Sequence, residues 1–348
     1  MFTIGKRPVG GGAPCYIIAE AGVNHGGSLR TAKELVDAAA AAGADAVKFQ
    51  SYRTADLVVR QAPKAAYQRR TTGTRTTQFE MLEQLELSAA QQRQLQTHCR
   101  KVGITFLSTP FDPPSVRLLT RLRVPAFKVS SCNLVNTPLL EQIAAVGRPM
   151  ILSTGMASLS EVEMGLAAVE RHLPRRKVAL LQCTSNYPSS HKTVNLRAMD
   201  TLAQAFGTVV GLSDHSPGIA AALAAVARGA AIVEKHFTLD RALPGPDHAA
   251  SLLPTELGEL VRGIRAVEAA LGDGRKAPQA EELDVRTAAR KSLVLLTDVR
   301  AGATLTRRTL GFKRPGTGIP ASAFDHVLGR KVRTALRKDH LLCWEDLR

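Results

Sequence analysis

Short apolar runs recur along residues 15–240. Each closes on polar residues and is followed by Ala/Leu-rich sequence with helical period. The runs are CYIIAE (15–20), DAVKFQ (45–50), ITFLST (104–109), AFKVSS (126–131), PMILST (149–154), VALLQCT (178–184), TVVGLSD (208–214) and AAIVEKH (230–236). Two of the intervening stretches, 28–43 and 158–173, open on serines suited to N-capping, and the first closes on Gly43. Eight strand-then-helix units over about 250 residues predict an α/β fold of the (β/α)8 (TIM) barrel type. No G-x-G-x-x-G follows the first run, which speaks against a doubly wound dinucleotide-binding sheet.

In such a barrel the chemistry lies where the strands end. The chain places Glu20, Lys48 and Gln50, Thr109, Lys128 and Ser131 at successive strand ends, then Ser153, Thr184, Ser213 and Glu234 with His236. Period-two alternation sets Lys48 with Gln50 on one side of its strand, and Glu234 with His236 on one side of theirs. A lone strand-end lysine is usually a surface group, and a lone histidine a satisfied polar residue. Polar ends that coincide at one rim on eight strands are harder to ascribe to packing. His215 and His236 follow the seventh and eighth strands, neighbours in a closed barrel. Two imidazoles there suit a divalent ion such as Mn²⁺, Fe²⁺ or Zn²⁺ with open positions.

Composition changes this picture only a little. Of 348 residues, 45% are hydrophobic, with no apolar run of membrane-spanning length and no apolar leader at the start. Five scattered cysteines without CxxC spacing speak for a reducing compartment, and the expected location is cytoplasmic. The net charge of +16 points to an anionic partner. Residues 286–348 carry 14 Lys+Arg and 5 Asp+Glu, so the excess is concentrated in the tail. With four tyrosines and one tryptophan, base-stacking platforms are scarce, and neither nucleic acid nor membrane is an expected partner.

The segments IIAEAGVNHGG (17–27), VKFQSY (47–52), FLSTPFD (106–112), ILSTGM (151–156), QCTSNYP (182–188), GLSDHS (211–216), EKHFTLD (234–240), LPGPDH (243–248) and KRPGTGIP (313–320) resemble the N-acetylneuraminate (sialic acid) synthase family. The likeness runs over essentially the whole chain in the same order. It implies a (β/α)8 synthase domain over 1–271, a linker over 272–288 and a small antifreeze-like (SAF, β-clip) domain over 289–348, paired as a domain-swapped homodimer. It also implies condensation of phosphoenolpyruvate with the open-chain aldehyde of an N-acylated amino sugar such as N-acetylmannosamine, with water attack and phosphate release.

By the same resemblance, Lys48 and Lys128, with Thr109, Ser131, Ser153, Ser185 and Ser213, would hold the carboxylate and phosphate of phosphoenolpyruvate. Gln50, Tyr187, Asp247 and Arg314 would hold the sugar, with Glu20 there as well and handling protons. Glu234 would orient its neighbours. A divalent metal on His215 and His236, Mn²⁺ by preference with Mg²⁺ or Co²⁺ as alternatives, would polarise the aldehyde. One position departs from the family pattern: Asn133 stands where a carboxylate is usual, and an amide is no base. That departure motivates a second reading, a phosphoenolpyruvate condensation onto a different aldehyde. A third is an inactive carbohydrate-binding relative.

Overall fold

The computed structural model describes every residue, Met1–Arg348. Two compact units divide the chain, Met1–Gly272 and Asp273–Arg348.

The first unit opens with a hairpin of β1 (Phe2–Ile4) and β2 (Arg7–Val9). Eight parallel strands follow: β3 (Tyr16–Gly22), β4 (Ala46–Ser51), β5 (Thr105–Pro110), β6 (Phe127–Val129), β7 (Met150–Ser153), β8 (Val178–Cys183), β9 (Val209–Asp214) and β10 (Ile232–His236). They are hydrogen-bonded in the order β5-β4-β3-β10-β9-β8-β7-β6, and β5 packs beside β6 to close the barrel. The helices start as the sequence expects. Ser28 caps Leu29–Ala41 by accepting from Thr31 N, and Ser158 with Glu161 forms a capping box on Leu159–Glu170. The strand expected over 126–131 is shorter. It stops at Val129, and Ser131 opens a 3-10 turn over Ser131–Asn133.

Alternation along the strands sorts the core into two layers. Ile17, Ala19, Val47 and Phe49 face the helices, in one continuous apolar shell. Tyr16, Ile18, Ala46, Leu107, Ile151 and Ile232 face the barrel axis, where Phe2, Ile4 and Val9 of the hairpin plug the end at which the strands begin. Gly211 belongs to this inner layer because a Cβ there would lie 2.2 Å from Ile232 O and 2.8 Å from Leu181 Cδ2. One step further along each strand the inward positions turn polar. The strand ends therefore open into a site rather than a core.

Between β4 and the helix Ala89–Val102 the chain makes a long excursion with three short helices, Thr54–Leu57, Ala66–Thr72 and Gln78–Glu83. It is tied at its base, where Thr54 N and Oγ1 both donate to Glu86 Oε2 (2.8 and 2.9 Å) and Tyr52 Oη donates to Leu82 O (3.0 Å).

The second unit has its own core, with Leu293, Leu295, Leu310, Ile319, Val332 and Leu342 packed together. It contains the antiparallel pair β11 (Ser292–Leu295) and β12 (Leu310–Lys313). The segment expected as a linker includes a short helix, Leu283–Ala289, none of whose residues is buried. Arg314 is exposed directly after β12. No helix is long and apolar enough to cross a membrane.

Candidate active site

A cavity of about 460 Å³ opens at the strand ends. The register of the ladders assembles its floor: Glu20 pairs with Lys48 on one side and with His236 on the other, and Glu234 pairs with Ser213. Lys48 Nζ lies 2.6 Å from Glu20 Oε2 and 3.7 Å from Glu234 Oε2, and donates to Thr109 Oγ1 at 3.1 Å. Lys128 Nζ lies 3.4 Å from Glu234 Oε1 and donates to Ser153 Oγ at 2.7 Å. Ser213 Oγ donates to Glu234 Oε1 at 3.2 Å. All four charged side chains are at most 5% exposed.

Burying four charges is costly, and their proton affinities show where the cost falls. Burial raises the Glu20 carboxyl to about 7, against the pull of Lys48 and with a push from Glu234. Burial would lower Lys48, yet the carboxylates of Glu20 and Glu234 more than offset it and hold its pKa above the usual value. Lys128 has no such compensation and is lowered by burial, Glu234 only partly opposing. Glu234, although buried, is held low by Lys128 and then Lys48, so it stays ionised between two ammonium groups. Lys128 is thus the less compensated of the two buried lysines.

Beside the lysines, Ser131 and Ser185 crowd one corner. Gly155 N donates to Ser131 Oγ at 2.9 Å, and a Cβ on Gly155 would fall 2.3 Å from Ser185 Oγ and 2.8 Å from Ser131 Oγ. Only glycine leaves room there. Hydroxyls, a backbone amide and two ammonium groups are donors suited to a phosphate and a carboxylate.

The other side of the floor is aromatic. The rings of His215 and His236 lie 5.3 Å apart, Tyr187 sits 4.1 Å from His215 and 5.5 Å from His236, and Tyr67 stacks on Tyr187 at 5.0 Å. His215 Nδ1 faces Thr184 O at 2.8 Å; a carbonyl only accepts, so that nitrogen carries a proton. Burial would lower this imidazole, yet Cys183 and the Thr184 carbonyl more than offset it and raise its pKa. His236 Nδ1 is buried without a hydrogen-bond partner, 4.0 Å from Asp247 Oδ2. Burial, then His215 and the lysines, depress His236 far below the ordinary imidazole range, so it is neutral. Burial raises Asp247 to about 6. The orphaned nitrogen of the neutral His236, with His215 beside it, fits a divalent ion, which His215 would join by giving up its Nε2 proton. No third His, Cys, Asp or Glu completes a metal cluster, so such an ion would keep positions open to water or substrate.

The cavity therefore brings together Glu20, Lys48, Gln50, Thr109, Lys128 and Ser131, together with Ser153, Ser185, Tyr187 and Ser213, and His215, Glu234, His236 and Asp247. Asn133 is not among its lining residues. It is buried in the 3-10 turn, where its Oδ1 accepts from Asn136 Nδ2 at 3.4 Å and its own Nδ2 has no partner. Asn133 follows Ser131 and Cys132, which do line the cavity, in the same turn. Arg314 belongs to the second unit.

Several site residues escaped sequence reasoning. Lys235 and Asp214 face away from the axis and form a buried pair at 2.7 Å. Asp214 Oδ1 also accepts from Ser216 N and Oγ (2.8 and 2.7 Å), which bends the chain around His215. Tyr67, Leu57 and Met81 come from the long excursion. Its unusual length was the available signal, since loops this long are commonly functional.

A parallel barrel whose strand ends carry polar groups to one rim, around a cavity, is the layout of a (β/α)8 enzyme. Comparison with known proteins gives the family. The NeuB family profile matches residues 35–276, and the SAF domain profile matches residues 290–348. An N,N'-diacetyllegionaminic acid synthase of Legionella pneumophila is 43% identical over 346 residues, covering 99% of this chain and 97% of that protein. The N-acetylneuraminate-9-phosphate synthase of Mus musculus is 37% identical over 343 residues, covering 98% and 95%. The crystal structure of the N-acetylneuraminic acid (sialic acid) synthetase of Leptospira borgpetersenii in complex with citrate superposes with a TM-score of 0.72 at 37% identity, covering 82% of this chain and 94% of that one. The chain belongs to the NeuB family, and its named relatives are synthases.

Proposed function

We propose that the protein is a nonulosonic acid synthase that joins phosphoenolpyruvate to the open-chain aldehyde of an N-acylated amino sugar. The observation that carries this reading is the buried Lys48–Glu20–Glu234–Lys128 group, which shares one cavity with the serine corner and the His215–His236 pair. Phosphoenolpyruvate is a carboxylate and a phosphate on a three-carbon frame, and this floor offers donors to both. Tyr187 and Asp247 line the rest of the cavity and would hold the sugar, with Gln50. Mn²⁺ is the metal proposed for His215 and His236, with Mg²⁺ or Co²⁺ as alternatives; when bound it would supply Lewis-acid polarisation of the aldehyde oxygen.

The chain's own groups account for the protons. Glu20, with a pKa near 7, is in part protonated at neutrality and donates to the aldehyde oxygen as carbon 3 of phosphoenolpyruvate forms the new bond. Water then adds to the cationic carbon 2, held against Lys48 and Lys128, and its proton returns to the vacated Glu20 carboxylate. Collapse of the adduct forms the carbon-2 ketone, breaks the C–O bond to phosphate and passes the carbon-2 hydroxyl proton to the departing phosphate, leaving the 2-keto acid. Glu234 stays ionised throughout and keeps both ammonium groups in place.

Because Glu20 must begin protonated, kcat/KM for the sugar should fall as pH rises through about 7, and this limb should vanish in Glu20→Gln. Phosphate release assayed with phosphoenolpyruvate, Mn²⁺ and a panel of amino sugars across pH 5.5–8.5 reads both. An unchanged limb in Glu20→Gln would assign the proton transfer elsewhere.

The SAF unit enters the proposal through Arg314. In a domain-swapped homodimer, Arg314 of one protomer would hold the sugar in the other's barrel. Arg314→Ala should then raise KM for the sugar and leave KM for phosphoenolpyruvate nearly unchanged. A mixed dimer of Arg314→Ala and Lys128→Ala chains should recover roughly half the parental activity, because one site combines an intact barrel with an intact arginine. A mixed dimer as inactive as either mutant homodimer would remove the swap.

A further inference from the structure

Resting on the metal proposed above for His215 and His236, we infer that Lys235 and Asp214 are the positioning residues of that site. From behind the barrel wall, their buried pair fixes the separation of the two imidazoles. Neither residue lines the cavity, and no step of the proposed condensation uses them. The pair lies where the ladder joins the two histidine-bearing strands. Lys235 of β10 is in register with Asp214 of β9, and each is followed directly by a histidine.

An ion pair is out of keeping with its surroundings there. On the same outward side, Leu212, Val233 and Phe237 belong to the apolar shell that meets the helices. Lys235 and Asp214 are each 1% exposed, and apolar residues of similar volume often match or exceed a buried ion pair in stability. What an apolar pair could not supply is the set of bonds. Lys235 Nζ donates to Asp214 Oδ2 at 2.7 Å and also to Ser216 O. Asp214 Oδ1 accepts from both Ser216 N and Ser216 Oγ. The residues on either side of His215 are thus tied to each other, and both are tied to the side chain that precedes His236. The histidine carbonyls are held as well: His215 O accepts from Ser189 N and His236 O from Leu252 N, each at 2.9 Å. With both backbones so fixed, the ring centroids stand 5.3 Å apart. An ion that finds its ligands already placed does not have to order them on binding.

The test is Mn²⁺ titration of the whole chain without substrate, read by the electron-spin resonance signal of free Mn²⁺. Lys235→Met/Asp214→Asn removes both charges together, so no unpaired charge stays in the apolar shell, and the amide oxygen still accepts from Ser216. Mn²⁺ should bind this double variant about 10–100-fold more weakly than the parent. KM for phosphoenolpyruvate at saturating Mn²⁺ should stay near the parental value, because Lys48 and Lys128 keep their own partners. A merely structural role would move both quantities together, and that outcome overturns the inference. If the double variant does not fold, Ser216→Ala takes its place, since it deletes only the hydroxyl's bond to Asp214. Its Mn²⁺ affinity should fall about threefold, the size of one hydrogen bond. Parental Mn²⁺ affinity in the folded double variant, or in Ser216→Ala, also overturns the inference while leaving the histidines as the metal's holders. A parent protein that binds no Mn²⁺ removes the metal reading itself, and this inference with it.

Discussion

Lys48→Met and Lys128→Met should both lose about 10²–10³-fold or more in kcat/KM for phosphoenolpyruvate, but only Lys48→Met should lose stability as well. The two lysines look alike in sequence, each at a strand end and each facing the axis. Their surroundings differ. Lys48 neutralises two buried carboxylates at once, Glu20 at 2.6 Å and Glu234 at 3.7 Å, and removing it leaves Glu20 with no close cation. Breaking a buried pair in this way costs on the order of 3–5 kcal/mol. Lys128 is the group that burial disfavours, and Glu234 keeps both Lys48 and the Ser213 hydroxyl when Lys128 is gone. Thermal unfolding of the two variants beside their phosphoenolpyruvate kinetics separates the roles. If Lys128→Met melts as early as Lys48→Met, the division between a structural and a ligand-directed cation is wrong. If either keeps parental kcat/KM, the anion site lies elsewhere.

His236→Ala should abolish phosphate release and also the binding of Mn²⁺, followed directly by the electron-spin resonance signal of free Mn²⁺. The ring is buried, neutral and without a hydrogen-bond partner at Nδ1, so the fold gains little from it that a smaller side chain would forfeit. His215→Ala should behave alike in the metal titration but unfold more readily, because its Nδ1–H bond to Thr184 O would be lost. Dialysis of the parent protein against a chelator should stop turnover, and Mn²⁺ should restore it. Full activity of metal-free parent protein, or parental Mn²⁺ affinity in His236→Ala, would rule out this pair as the metal's holders.

How the site came to be legible follows from what kind of information each residue carries. Alternation is local: two residues apart on a strand means the same face, so Lys48 with Gln50 and Glu234 with His236 could each be set on one side of their strand from sequence alone. The eight apolar runs were readable for the same reason, since each strand is buried on both faces and its run is nearly unbroken. The family motifs added the reaction's outline.

Partnership, in contrast, depends on closure. Glu20, Lys48 and Glu234 become neighbours only when the last strand returns to the first, and only then does one lysine hold two carboxylates while the other is held at a cost. Asn133 shows the limit most plainly: the family pattern put it where a carboxylate is usual, but the end of β6 at Val129 and the 3-10 turn that carries Ser131, Cys132 and Asn133 could not be read from the strand period. The wall of Leu57, Val58, Gln68, Gln78, Met81 and Leu82 was invisible too, because a polar, arginine-rich excursion has no strand period to read. Which of its side chains turn inward was decided by tertiary ties such as Lys64 to Thr76 and Tyr52 to Leu82. Sequence by itself determined the barrel and the chemistry of its strand ends, because both follow from short-range periodicity. Tertiary structure alone decided which charges pair and what the cavity wall is made of, because those depend on contacts between residues far apart in the chain.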